Sequence, residues 1–133
     1  MNKLRLRIDE CMSGLTRAGD SGLSAKFVFP AEFPGFDGHF PGHPVLPGVC
    51  MVQACLVVAA CWTDTAVPEL RSLVNAKWFV PTGPGDELLF DLLRAREGEG
   101  GTTVRARITR EGERVADLTL SVGLAERQEE PLA

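Results

Sequence analysis

Residues Gly48 to Trp62 read G-V-C-M-V-Q-A-C-L-V-V-A-A-C-W, and Gln53 alone among them carries a side-chain amide. A surface helix shows one apolar stripe; a helix that is apolar on every side must be wrapped by other structure. At 1.5 Å per residue this one is about 21 Å long. The segments around it supply the wrapping. Lys3 to Ile8, Ala25 to Phe29, Leu70 to Val80, Glu87 to Glu97, Thr102 to Thr109 and Val115 to Gly123 read as strands, several alternating apolar and polar side chains, as half-buried antiparallel strands do. Cys11 to Ser24 reads as a polar link, Pro81 to Asp86 (P-T-G-P-G-D) as a turn, and Arg110 to Glu113 as a hairpin turn. The expected fold class is therefore α+β: an antiparallel sheet of about six strands around one long central apolar helix. Residues 1–124 form a single domain in this reading, and 125–133 a polar C-terminal tail.

Immediately before the helix, Gly38 to Pro47 reads G-H-F-P-G-H-P-V-L-P. Pro41, Pro44 and Pro47 fix φ and forbid continuous secondary structure. Gly38, Gly42 and Gly48 permit tight bends and close approach of a ligand to the backbone. His39 rides on this stiff loop, and Gln53 follows it by fourteen positions. Such a loop carrying an imidazole into a helix N-terminus points to an active site.

At 133 residues the chain can bury a proper core. A formal charge of −4, with no basic stripe, argues against nucleic acid. The start of the chain has no secretory apolar core, and the run from Val45 to Trp62 is too broken to span a bilayer, so the expected location is cytoplasmic. Cys11, Cys50, Cys55 and Cys61 lack the paired short spacing of a zinc site and read as reduced, buried thiols; no metal is expected. The alternative is a nucleophilic Cys50 activated by the helix N-terminus.

The segment from Gly38 to Val49 resembles the signature of the hot-dog-fold (3R)-3-hydroxyacyl-acyl carrier protein dehydratases. A second segment, from Ala76 to Asp86, resembles the aromatic strand and P-G-D turn of the same enzymes. The resemblance runs over residues 1 to about 124. It implies a sheet rolled around the central helix, and a dimer whose sites take the histidine from one subunit and a helix carboxylate from the other. It implies His39 as base, an enolate-stabilising amide at Gly48, and substrate contacts from Phe40, Pro47 and Val49. The substrate is a 3-hydroxyacyl thioester on the phosphopantetheine of an acyl carrier protein, in fatty-acid or polyketide biosynthesis, with no further cofactor. Arg71, Lys77, Arg94 and Arg96 are available to dock an acidic carrier.

The chain departs from that pattern where it matters for chemistry. Gln53 occupies the carboxylate position, and Val57 the place one turn on where the family often has glutamine. A carboxamide orients a hydroxyl but transfers no proton. Three readings stand: a dehydratase in which His39 serves as both acid and base; one half of a heterodimer with a carboxylate-bearing partner; or a hot-dog protein that binds acyl chains without catalysis or acts as a thioesterase. Gln53 also fits a satisfied buried amide, and His43 an exposed loop residue; Asp37 fits a loop cap, or else a group that orients the His39 imidazole or replaces the missing acid. Leu56 to Ala60 reads as core before tunnel lining.

Overall fold

Alternation in the second half of the chain predicts the sheet register directly. The computed structural model describes residues 3–37, 42–63, 68–95 and 101–123. Six strands form one antiparallel sheet: β1 (Met12–Ala18), β2 (Gly22–Val28), β3 (Glu69–Trp78), β4 (Glu87–Arg94), β5 (Thr102–Arg110) and β6 (Glu113–Gly123), in the spatial order β1-β2-β4-β5-β6-β3. Leu23, Leu92, Ala106 and Leu118 lie side by side across four strands, as do Ala25, Phe90, Ile108 and Ala116. All eight are buried. A slip of one residue would turn each of these rows to water, so burial pins the register. Glu111 and Gly112 close the β5–β6 hairpin with φ of 50° and 81°, the left-handed pair whose twist matches the strands it joins.

The buried face packs on the predicted helix, α2 (Gly48–Ala59), which a 3-10 turn extends over Ala60–Trp62. Nine of its twelve residues are buried; the three that are not are Gly48, Val49 and Gln53. The hot-dog architecture expected from the sequence is the one observed.

Two expectations at the N-terminus are corrected. Lys3–Ile8 is no strand: Lys3–Glu10 forms a helix, α1, which packs against α2. Leu4, Leu6 and Ile8 satisfy a period of two, but Leu4 and Ile8 also stand four apart on one helical face. The core takes that face: Ile8 is fully buried, Leu4 packs on the core, and Leu6 is left 48% exposed. The first strand lies instead within the segment expected to be a link. Met12–Ala18 is exposed along almost its whole length, so it carries no apolar signal to read.

The turn between β3 and β4 ties distant elements together. Asp86 accepts hydrogen bonds from the Gly83 amide at 2.8 Å and from Arg110 Nη1 at 3.0 Å. The Gly85 amide donates to the Phe29 carbonyl at 3.0 Å, and the Leu46 amide to the Thr82 carbonyl at 2.7 Å. The loop entering α2 is thereby fastened to the sheet. Gly85 sits at φ 81°, where an L side chain is strained. Gly85→Ala is expected to cost about 1 kcal/mol of stability, read as a lower urea midpoint.

Candidate active site

The start of α2 has no side-chain cap. Pro47 is the N-cap, with φ −65° and ψ 147°, and it offers no side-chain acceptor to the first turn. The Cys50 amide donates to the Pro47 carbonyl at 3.0 Å, closing that turn behind Gly48 and Val49. Partial positive charge collects at such a terminus.

Beside it lies a cavity of about 730 Å³. One wall comes from the loop and helix, with Pro47, Gly48, Val49 and Gln53 among its residues. The facing wall comes from β3 and the residues after it: Leu70, Leu73, Trp78, Phe79, Val80 and Pro81. β3 is an edge of the sheet, and Leu73, Val74 and Trp78 on it, with Phe79 just beyond its end, are 44% to 61% exposed. Four of the six residues expected to form the site, Pro47, Gly48, Val49 and Gln53, thus share one apolar cavity. His39 and Phe40 lie outside the described residues.

Gly48 is required by the ring above it. A Cβ at this position would stand 2.8 Å from Trp78 Cζ2. Gly48→Ala must push the indole off the helix terminus and into the cavity. If the cavity is where the reaction takes place, a displacement of that size in its wall lowers kcat/KM by about 10- to 100-fold while the chain stays folded, checked by steady-state kinetics with circular dichroism.

Gln53 has a partner that the sequence reading missed. Arg5 Nε, on α1, donates to Gln53 Oε1 at 2.7 Å across 48 positions of sequence. Val57, one turn on, is core, as are Leu56 and Val58, and none of the three lines the cavity. Asp37 is exposed at the end of the 3-10 turn Pro34–Phe36, where its amide donates to the Pro34 carbonyl at 3.0 Å. His43 is exposed, as expected. Phe33 and Phe36 anchor this turn to the core: ring contacts run from Phe90 through Phe27 and Phe29 to Phe33 and Phe36, at centroid spacings of 4.7 to 5.9 Å.

The nucleophilic alternative for Cys50 does not hold. Its side chain is buried, and burial pushes the thiol up from its ordinary range rather than down. Cys55, fully buried, is pushed up further. All four cysteines are unpaired. Among the described residues no three His, Cys, Asp or Glu side chains gather as a metal site, and no helix is long and apolar enough to cross a membrane. Of the basic residues considered for carrier docking, Lys77 lines a polar groove on the outer sheet face with Arg105 and Arg107. Arg94 stacks over Trp62 and donates to the Asp20 carbonyl, Arg71 packs against Gly101 and Gly123, and Arg96 lies outside the described residues.

Residues 16–117 match a family of ApeI-like dehydratases, described as ApeI dehydratase. The chain is 39% identical over 97 residues to the 3-hydroxyacyl-[acyl-carrier-protein] dehydratase FabZ of Thermus thermophilus, covering 66% of this chain and 67% of that protein. It is 34% identical over 113 residues to the FabZ of Wolbachia sp. subsp. Drosophila simulans, covering 79% of each. Among solved structures, the dehydratase heterocomplex ApeI:P from Xenorhabdus doucetiae superposes with a TM-score of 0.69 at 19% identity, over 84% of this chain and 96% of that one. A hypothetical thioesterase with coenzyme A from Streptococcus pneumoniae TIGR4 gives a TM-score of 0.68 at 9% identity, over 94% and 96%. These two structural likenesses establish a common fold.

Proposed function

The chain belongs to the ApeI-like dehydratase family, and from that premise we propose that it removes water from a 3-hydroxyacyl thioester held on the phosphopantetheine arm of an acyl carrier protein, in fatty-acid or polyketide biosynthesis. One observation carries this reading: an apolar cavity large enough for an acyl chain, with the open N-terminus of α2 and the Gln53 amide in the same wall.

The residues divide the chemistry as follows. His39 takes the C2 proton, a role for which an imidazole is suited at neutral pH. The electron pair moves toward the thioester oxygen, where the Gly48 amide at the helix terminus stabilises the enolate. The C3–O bond then breaks, and the hydroxyl leaves as water after taking the proton back from the His39 imidazolium. Gln53 holds the departing oxygen by a hydrogen bond and supplies no proton. Pro47, Phe40 and Val49 flank the path of the acyl chain. No resident cofactor enters, since the thioester handle belongs to the carrier.

We read the assembly as a dimer paired along β3. An edge strand bearing exposed Leu73, Val74 and Trp78, with exposed Phe79 next after it, is a surface that calls for a partner. Gln53 itself favours a second reading, a heterodimer in which a related subunit provides the missing carboxylate opposite His39. Assays of the purified chain alone, and mixed with carboxylate-bearing relatives from the same genome, separate the two. Turnover by the chain alone supports the first, and turnover only in the mixture supports the second. If neither preparation forms enoyl product, the dehydratase reading fails. Release of free carrier thiol would then point to a thioesterase, and binding without turnover to a non-catalytic acyl-binding subunit.

A further inference from the structure

The hydrogen bond between Arg5 and Gln53 fixes more than a side-chain rotamer. A guanidinium has five N–H donors and no acceptor, so the atom of Gln53 that faces Arg5 Nε at 2.7 Å must be the carbonyl oxygen. Gln53 lines the cavity and Arg5 does not. The branch of the amide turned away from Arg5, its NH2, is therefore the one available to a bound molecule. We infer that Arg5 is the positioning residue of this site: it locks Gln53 as a hydrogen-bond donor to an oxygen of the thioester substrate, and it would hold a carboxylate at position 53 in its anionic, proton-poor form.

This inference rests on the dehydratase reading and deepens it. Position 53 then differs from the family pattern by two linked changes. A carboxylate restored at 53 would meet a guanidinium within hydrogen-bond reach, and an opposite charge that close favours ionisation by about 10- to 1000-fold. A general acid held in that state has no proton to give. Among the described residues lining the cavity, no charged side chain offsets Arg5. The facing wall of Leu70, Leu73, Trp78, Phe79 and Val80 holds no titratable group. On α1, Lys3, Arg7, Asp9 and Glu10 are exposed, and His43 on the loop before α2 is exposed as well.

The test is a double-mutant cycle on the full chain: wild type, Arg5→Leu, Gln53→Glu, and both together. α1 remains docked through Ile8 and Leu4, so losing Arg5 does not remove the helix. The first readout is dehydration of a 3-hydroxydecanoyl thioester of an acyl carrier protein across pH. Gln53→Glu alone is expected to gain nothing over wild type. The double variant is expected to gain about tenfold or more in kcat and to lose activity above the pKa of its new acid. Arg5→Leu alone is expected to raise KM about threefold or more through a freely rotating amide, with Arg5→Lys restoring part of the loss. The second readout needs no turnover: carbon-13 NMR titration of the introduced carboxyl in both Gln53→Glu chains. Its pKa is expected below the ordinary glutamate range with Arg5 present, and at least one pH unit higher with Arg5→Leu.

Equal gains from Gln53→Glu with and without Arg5, or a carboxyl whose titration ignores Arg5, would overturn the inference. If every chain is inactive, both alone and mixed with a carboxylate-bearing relative, while the carboxyl titration still follows Arg5, the dehydratase reading falls and the positioning role stands.

Discussion

Replacing His39 with alanine is expected to lower kcat/KM for dehydration by about 10²–10⁴-fold, with the fold unchanged by circular dichroism. The size follows from the inventory of proton-transfer groups. Loss of water needs a proton removed from C2 and another delivered to the leaving hydroxyl. Gln53 transfers neither. Position 57 is a buried valine, His43 faces solvent, and burial raises the thiol pKa of Cys50. In the proposed scheme both transfers pass through one imidazole, and no second group shares the loss. The wild-type rate should fall as the medium is acidified through the imidazole pKa, since the protonated ring cannot accept the C2 proton. A variant that keeps its rate and its pH profile would remove His39 from the mechanism.

Phe90→Ala is expected to destabilise the chain by about 3–5 kcal/mol, measured as a lower urea midpoint at unchanged slope. Phe90 is fully buried at the centre of the sheet, between Ala25 on β2 and Ile108 on β5. Its ring lies 4.7 Å from that of Phe27. One small neighbour in its row, Ala25, offers no bulk against the phenyl ring, and Ala116 lies beyond Ile108. Ala25 cannot expand to close the void. A domain of this size holds about 5–15 kcal/mol in total, so the variant would lose a large share of it. Because Phe27, Phe29 and Phe33 continue the ring contacts toward Asp37, the same change should also loosen the approach to the His39 loop.

The residues that could be read in advance are those whose environment repeats along the chain. In β4, β5 and β6 every second side chain meets the same core, so Leu88, Phe90 and Leu92, or Val104, Ala106 and Ile108, announce both strand and face. α2 announces itself by being apolar all round. β1 does not, because the sheet buries almost nothing of it. α1 misleads because Leu4, Leu6 and Ile8 fit two periods at once, and only the packing of Ile8 against α2 decides between them. The cavity shows the same division. Pro47, Gly48, Val49 and Gln53 sit in one local motif and were legible. Leu70 and Leu73 read as strand residues, and their place in the far wall follows from the edge position of β3. Trp78 and Phe79 belong to a recognisable aromatic segment, yet nothing local tells that the indole rests on Gly48. Arg5 was the least visible: one of three basic residues among positions 3–7, on a segment that reads as a strand, 48 positions from the amide it orients.

The docking of α1 has a practical corollary for anyone cloning this protein. An expression vector beginning at Met12 would keep all six strands and the central helix in its reading frame, but its product would lack the fully buried Ile8 that α1 contributes to the core. It would also lack the guanidinium that restrains Gln53, so its kinetic constants would describe a different catalyst. A purification tag joined directly ahead of Lys3 would stand less than one helical turn from the same contact. Tags are better placed at the other end of the polypeptide.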